Sequence, residues 1–177
     1  MKEKTMHIET ERCIIRYFQE DDFRDFHEIF SDPVVMENTE PPYDEAKSRA
    51  FLEGFCIRDK KALALEHKAE KKVFGYILFS DRLQKDVYEI GWIFNRNYWR
   101  QGFAYEAMSA VVDFAFRQLH AHKLFAEAID TVKSVGLMKK LGMVFEGRQI
   151  EQLKDQNGEW RDLHYYGLLA EQYEKRN

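Results

Sequence analysis

The stretch Asn97-Tyr98-Trp99-Arg100-Gln101-Gly102-Phe103-Ala104-Tyr105-Glu106-Ala107 is a polar turn that contains a glycine and runs directly into a helical pattern. Before it, residues 87–94 alternate and are rich in β-branched and aromatic side chains, which is typical of a strand. After it, apolar residues recur at helical spacing, namely Ala104, Met108, Val111, Ala115 and Leu119. The turn is therefore predicted to lie at the N-terminus of a long helix.

This turn has the features of an anion-binding loop. The first N–H groups of a helix have no intrahelical partner, and the helix dipole places positive charge at the same end. A phosphate is favoured there, and Gly102 lets the backbone approach it closely. A mononucleotide P-loop needs Gly-Lys-Ser/Thr, and a dinucleotide fold needs a third glycine after Gly102-x-Ala104, so neither fits. On the loop alone, a glycine required only by the geometry of the turn explains the sequence equally well.

Hydrophobic periodicity along the rest of the chain predicts a mixed order of strands and helices. Strands are expected over residues 8–18, 62–67, 73–80, 87–94, 124–129, 144–153 and 159–169, and helices over residues 20–31, 44–58, 100–119 and 132–141. The residues Gln156-Asn157-Gly158 predict a hairpin turn between the last two strands. This order indicates an α/β (α+β) chain with a single domain over residues 8–170 and a frayed tail over residues 171–177.

Length and composition agree with one globular domain. A chain of 177 residues, 45% hydrophobic and 15% aromatic, can bury one sizeable core. The net charge of −4 argues against a nucleic-acid partner and modestly suits a cationic amine substrate. No signal segment or membrane span is visible, so we expect a cytoplasmic protein. We also expect it to be a monomer or a homodimer. The two cysteines, Cys13 and Cys56, lack a zinc or redox spacing, and no metal is expected.

A second motif follows the loop in residues 130–147, which read DTVKSVGLMKKLGMVFEG and predict a short helix closed by glycine and followed by a strand. Together the two motifs resemble the GCN5-related N-acetyltransferase (GNAT) superfamily, and within it the branch of ribosomal-protein N-terminal acetyltransferases. Its members carry a Q/R-x-x-G-x-G/A loop and later an N-x-x-x-S segment that ends in K-L-G-F. Residues 9–16, 31–36 and 88–92 also resemble that branch. The resemblance covers residues 8–170.

The resemblance implies a mixed, mostly antiparallel sheet of about seven strands, splayed between strands four and five and flanked by about four helices. It implies acetyl-CoA as co-substrate in the gap, without a metal. The pyrophosphate would bind the loop residues Arg100, Gln101, Gly102, Phe103 and Ala104. A backbone N–H on the fourth strand, near Ile93 or Phe94, would stabilise the oxyanion. Asp130 and Ser134 would contact the cofactor farther along its arm.

The implied activity is transfer of an acetyl group directly to a primary amine. Glu89 is the first choice as base, because it matches a glutamate used in this way by some members, although a structural hydrogen bond or ion pair explains it as well. Glu151 is the reserve candidate. Ser134 would assist the leaving thiolate, unless it only satisfies a helix-start N–H. Tyr165 or Tyr166 could supply that hydroxyl instead.

The acceptor is expected to be the N-terminal α-amino group of a protein or peptide. A polyamine, an aminoglycoside or an amino acid is the alternative, and a catalytically silent acyl-CoA-binding sensor or an interaction domain is a further one. Acidic residues around three prolines predict an acceptor mouth that attracts cations, unless they are solvated surface; they are Asp32, Glu37, Glu40, Asp44 and Glu45.

Three positions depart from the family pattern. Trp99 stands where Gln or Arg is common, and Asp130 stands where Asn is usual. An ionised Asp can only accept hydrogen bonds, whereas an amide can also donate them. Met143 replaces the usual Phe, which is a volume-conserving change.

Overall fold

The computed structural model describes residues 6–176, apart from the side chains of residues 82 and 83. The strands are β1 (His7–Glu9), β2 (Cys13–Tyr17), β3 (Ala62–His67), β4 (Lys72–Gln84), β5 (Val87–Phe94), β6 (Lys123–Ala128), β7 (Val144–Lys154) and β8 (Trp160–Leu169). The helices are α1 (Phe23–Phe30), α2 (Glu45–Phe51), α3 (Phe103–Arg117), α4 (Lys133–Lys140) and α5 (Ala170–Glu174). Short 3-10 turns cover Glu20–Asp22 and Arg96–Tyr98, and α2 continues as a π-helix over Leu52–Arg58.

All eight strands form one open sheet in the order β1-β2-β3-β4-β5-β6-β8-β7. Every neighbouring pair is antiparallel except β5 and β6, which are parallel. The β5–β6 register covers only Val87 with Lys123, Tyr88 with Leu124, and Glu89 with Phe125. Beyond Glu89 the two strands diverge, so the sheet is split toward the carboxyl ends of β5 and β6. The splayed GNAT fold expected from the sequence is confirmed.

The prediction of a single strand over residues 8–18 is wrong, because this segment forms two strands, β1 and β2. β1 and β2 pair antiparallel, with Ile8 opposite Ile15, and the Thr10 N–H donates to the Cys13 carbonyl at 2.9 Å. The polar residues between the strands turn the chain without breaking its alternation, so periodicity alone did not reveal the turn. The sheet therefore has eight strands.

The segment predicted as a tail, residues 171–177, contains a short helix in its described part. Residues Ala170–Glu174 form α5, and the Tyr173 ring stacks on the Phe116 ring of α3 with a centroid distance of 4.8 Å. The Gln172 side chain accepts a hydrogen bond from the Leu169 N–H at 2.9 Å. One aromatic contact and one cap hold the tail, and neither shows in the hydrophobic pattern of so short a segment.

Two hydrophobic cores lie on opposite faces of the sheet and fix the direction of each side chain on β5. Helices α3 and α4 cover the first core, which contains Ile90 and Phe94. Helices α1 and α2 cover the second core, against which Ile93 packs. Because side chains alternate along a strand, Glu89 points to the same face as Ile93.

Candidate active site

The split in the sheet exposes backbone groups at the end of β5. The Asn95 N–H donates toward β4, to the Phe74 carbonyl at 2.8 Å, while the Phe94 carbonyl accepts from the Trp99 indole at 2.8 Å on the opposite side. Backbone groups alternate in direction along a strand. The Phe94 N–H therefore faces the gap, and the Ile93 N–H faces β4. Of the two expected oxyanion donors only Phe94 has this orientation, whereas Ile93 lines the cleft without presenting its N–H to the gap.

The loop before α3 presents a row of backbone donors. Arg100 and Gly102 both adopt positive φ angles, 59° and 83°. Among residues 6–176 no hydrogen bond is made by the backbone N–H groups of residues 100–104. These donors lie at the N-terminus of the 15-residue helix α3, where the dipole adds positive charge. The loop therefore fits a pyrophosphate group.

A cleft of about 860 Å³ connects this loop with the split and with α4. Of the ten predicted site residues, eight line it: Ile93, Phe94, Arg100, Gly102, Phe103, Ala104, Asp130 and Ser134. Gln101 does not, because its side chain donates to the Asn97 carbonyl at 2.8 Å and its carbonyl accepts from Arg12. Four cationic side chains also line the cleft and suit phosphates, namely Arg96, Arg100, Lys133 and Lys140.

The first-choice base, Glu89, lies beside the cleft and is not part of its lining. It is only 6% exposed and pairs across the strands with Ser80 and Phe125, at the point where the sheet splits. To act on an amine, Glu89 would need an intervening water.

Glu127 on β6 is a cleft carboxylate that sequence reasoning missed. Its neighbours Ala126 and Ala128 are buried in the core under α3, so Glu127 points to the opposite face, as Glu89 does. It stands two residues beyond Phe125, the last residue of β6 that pairs with β5. The alternation of β6 places Glu127 on one face of the sheet, but the sequence does not show that this position lies beside the gap.

Asp130 contacts the start of α4. Its carboxylate accepts from the N–H groups of Val132 at 2.8 Å, Lys133 at 3.1 Å and Ser134 at 3.2 Å. The helix-start role considered for Ser134 is thus filled by Asp130, and the Ser134 side chain is half-buried on the cleft wall.

The reserve candidates lie elsewhere. Glu151 sits on a register shift of β7, where its N–H donates to Asp162 at 2.9 Å, and it does not line the cleft. Tyr166 is buried in the core under α3. Tyr165 lies opposite Glu127 in the β6–β8 register and is also absent from the cleft lining.

Trp99 stands where Gln or Arg is common in the family, and its indole ring makes two contacts of its own. Its indole donates to the Phe94 carbonyl, and the Lys133 ammonium lies 5.5 Å from the centre of its ring. Trp99 thus links the loop before α3 to the end of β5 and to the first residue of α4.

A second cavity of about 450 Å³ opens beside the cleft. Its lining comes from the segment after α1 and from the β7–β8 turn, and it shares Val34, Glu37 and Asn38 with the cleft. These are the segments expected to build the acceptor side. The two cavities are therefore contiguous.

The expected acidic mouth is largely neutralised. Asp32 pairs with Arg96 at 2.9 Å, and Glu40 pairs with Lys47 at 2.8 Å. Asp44 caps α2 through the Lys47 N–H, and Glu45 lies 3.8 Å from Arg49. Within the described part of the chain, Glu37 is the member of this group that makes no hydrogen bond or ion pair.

Comparison with known proteins agrees with this geometry. Residues 12–144 match the acetyltransferase (GNAT) domain family. The uncharacterized N-acetyltransferase YnaD of Bacillus subtilis (strain 168) is 32% identical over 170 residues, which cover 95% of this chain and 99% of YnaD. A GNAT-family acetyltransferase from Bacillus anthracis has a TM-score of 0.86 at 32% identity, covering 94% of this chain and 99% of that one. The chain therefore belongs to the GNAT family and is an N-acetyltransferase by class.

More distant structures share the fold. Spermidine N-acetyltransferase from Vibrio cholerae, solved with CoA and spermine, has a TM-score of 0.79 at 23% identity and covers 92% of this chain and 98% of its own. Ribosomal-protein-S5-alanine acetyltransferase from Vibrio fischeri has a TM-score of 0.75 at 20% identity and covers 93% and 97%. At these identities the likeness concerns the fold alone.

Two further properties hold for residues 6–176. No helix in this range is long and apolar enough to cross a membrane. No group of three or more His, Cys, Asp or Glu side chains there is arranged to hold a metal ion.

Proposed function

We propose that the protein transfers the acetyl group of acetyl-CoA directly to a primary amine, and that this amine is the N-terminal α-amino group of a peptide or protein. One observation carries the proposal. The cleft joins three features: a loop with unpaired backbone N–H groups at the N-terminus of α3, a split sheet with the Phe94 N–H facing the gap, and an acidic side chain, Glu127. A silent acyl-CoA-binding sensor would not need the last two features.

The loop and the cleft cations would hold the cofactor. The N–H groups of residues 100–104 would donate to the pyrophosphate, and Arg100 and Lys133 would add charge. When bound, acetyl-CoA supplies a thioester carbonyl carbon and a thiolate leaving group.

The residues around the split would serve the transfer. The Phe94 N–H would donate to the carbonyl oxygen as negative charge develops on it. Ser134, on the cleft wall, would donate to the departing sulfur. An α-amino group has a pKa of about 7.7–8, so at neutral pH most of the amine is protonated. A base must remove that proton before the nitrogen can attack the thioester. Glu127 is our first candidate because it lines the cleft, and Glu89 is the second, acting through water.

The second cavity favours a peptide acceptor over a polyamine. The Asp155 carboxylate at its wall is engaged by Arg161 at 2.8 Å and by the Asn157 N–H at 2.9 Å. Its other polar side chains include three amides, Asn38, Gln156 and Asn157, and a single further carboxylate, Glu37. Amides both donate and accept, which suits a peptide backbone, whereas a polycation needs several carboxylates. We place this activity in the cytoplasm, where Cys13 and Cys56 would stay reduced, with the chain as a monomer or a homodimer.

The test is release of free CoA from acetyl-CoA in the presence of different amines. Peptides with a free N-terminus should support turnover, and polyamines, aminoglycosides and single amino acids should support little. Because the mouth is largely neutralised, added salt should change the peptide rate only weakly. A clear preference for spermidine, lost at high salt, would contradict the peptide assignment and leave the acetyltransferase chemistry intact.

A further inference from the structure

The turn between β1 and β2 forms hydrogen bonds to the first turn of α3, directly behind the loop that precedes this helix. The Thr10 hydroxyl donates to Glu106 Oε1 at 2.6 Å, and the Arg12 N–H donates to the same oxygen at 2.9 Å. Arg12 Nε and Nη2 both lie 2.7 Å from Glu106 Oε2. These residues belong to the N-terminal motif that the transfer chemistry does not use.

Arg12 also sets the direction of one peptide group in the loop. Its Nη1 donates to the Gln101 carbonyl at 3.0 Å. In a trans peptide the C=O and the following N–H point in opposite directions. The Gly102 N–H is therefore directed away from Arg12, and Gly102 itself lines the cleft, whereas Arg12 does not.

The Arg12 side chain is held in this place on two further sides. Its guanidinium lies 3.9 Å from the centre of the Phe103 ring. A Cβ atom at Gly102 would lie 3.4 Å from Arg12 Nη2, so the guanidinium packs directly behind the loop. Arg12 is thus fixed against three consecutive residues of the predicted pyrophosphate site.

Charge gives Arg12 a second effect. Glu106 lies in the first turn of α3, where its carboxylate would repel a phosphate bound at the loop. Burial raises the pKa of Glu106, but hydrogen bonds from Thr10 and Arg12 outweigh it and hold the pKa below its ordinary value. The carboxylate is therefore ionised, and Arg12 compensates its charge.

We infer that Arg12 is a positioning residue for acetyl-CoA: it holds the Gln101 carbonyl and the Glu106 carboxylate behind the loop, so that the Gly102 N–H faces the cofactor and the adjacent negative charge is cancelled. The inference rests on the proposed function, because it requires CoA to bind at this loop.

The first measurement is CoA binding by calorimetry. Arg12→Ala should weaken binding about tenfold or more, the scale of one charge-assisted hydrogen bond. The double variant Arg12→Ala/Glu106→Gln should bind more tightly than Arg12→Ala, because it removes the uncompensated charge. Arg148→Ala breaks an exposed ion pair with Asp162 far along the chain, on β7, and should bind CoA like the parent.

The second measurement separates positioning from general stability. The acetyl thioester of N-acetylcysteamine lacks the pyrophosphate, so its kcat/KM should be unchanged in Arg12→Ala while the KM for acetyl-CoA rises. If Arg12→Ala does not fold, Arg12→Lys carries the test, because it keeps the charge but cannot reach both Gln101 and Glu106. It should show the same selectivity for acetyl-CoA with a smaller loss, because the lysine still compensates the charge of Glu106.

Parent-like CoA affinity in the Arg12 variants, or an equal loss with both thioesters, would overturn the role of Arg12 while the proposed function stands. Failure of the unaltered chain to bind CoA would overturn the proposed function and this role with it.

Discussion

At the level of single residues, the site depends on which side chains the split in the sheet exposes. Glu89 and Glu127 point to the same face, yet only Glu127 lines the cleft. Glu89 was the first choice because it lies on the strand that enters the active centre and matches a glutamate that some family members use as a base. It could not single out Glu127, because the position of that residue depends on where β5 and β6 stop pairing, which is a property of the sheet.

The two carboxylates should respond differently to pH when each is changed to the amide. Glu127→Gln should lower kcat with a peptide by about a hundredfold near neutral pH, and by less as rising pH deprotonates the amine without help. Glu89→Gln should cause a smaller loss that does not depend on pH. Rates of CoA release across a pH series measure both. A pH-dependent loss in Glu89→Gln alone would transfer the role of base to Glu89.

Gly102 is a position where the backbone itself requires glycine. Its φ of 83° is unfavourable for a β-branched residue, and its N–H faces the cleft. Gly102→Val should therefore weaken CoA binding by about 1–3 kcal/mol, the scale of one or two charge-assisted hydrogen bonds. Calorimetry measures this, with Gly54→Ala as the control, because Gly54 does not line the cleft and a Cβ there meets only the flexible end of the Arg58 side chain. Unchanged affinity in a folded Gly102→Val would remove the loop from the cofactor site.

At the level of elements, α4 shows how a departure from the family pattern is accommodated. An acceptor-only carboxylate at position 130 caps three N–H groups, and this leaves Ser134 on the cleft wall. Periodicity predicted the helix itself. The cap was not predicted, because Asp130 was considered as a cofactor contact, and its local hydrogen bonds depend on the geometry of the loop before α4.

Removal of this cap should cost about 0.5–2 kcal/mol of stability. Asp130→Ala should lower the urea midpoint and also weaken CoA binding, because α4 forms one wall of the cleft. Asp130→Asn keeps an acceptor and should stay close to the parent. Asp44→Ala removes the matching cap of α2 and should lower stability without changing CoA affinity. If Asp130→Ala lost no more CoA affinity than Asp44→Ala, α4 would not contribute to the cofactor site.

At the level of the whole molecule, the end of β5 and the first turn of α3 are held by contacts from distant parts of the chain. Thr10 and Arg12 reach Glu106, and Glu28 on α1 accepts from Asn95 at 2.7 Å and from Lys72 at 2.6 Å. The mixed sheet and its splay followed from the family resemblance. The contacts of Thr10, Arg12 and Glu28 did not follow from it, because a sequence does not show which charged residues meet across about ninety positions.

The ion pairs of Glu28 and Glu106 should make the free energy of unfolding depend on pH in the acid range. The pKa of Glu28 is lowered chiefly by Lys72, and that of Glu106 is held below its ordinary value by Thr10 and Arg12, against the effect of burial. Protonation therefore favours the unfolded chain. The stabilisation is fully present above about pH 4.5 and is lost as pH falls through the lower folded-state values. Urea unfolding across this range should show the loss, with a shallower slope for Glu106→Gln. An identical slope would mean that Glu106 is not stabilised as an ion.

The central claim is that this cleft moves an acetyl group from acetyl-CoA to the α-amino group of a peptide. The most direct measurement is mass spectrometry of a peptide that carries both a free N-terminus and an internal lysine, after incubation with the protein and acetyl-CoA. We expect one acetyl group on the α-amino nitrogen for each CoA released, and none on the lysine. CoA release without an acetylated peptide, or acetylation of the lysine alone, would contradict it.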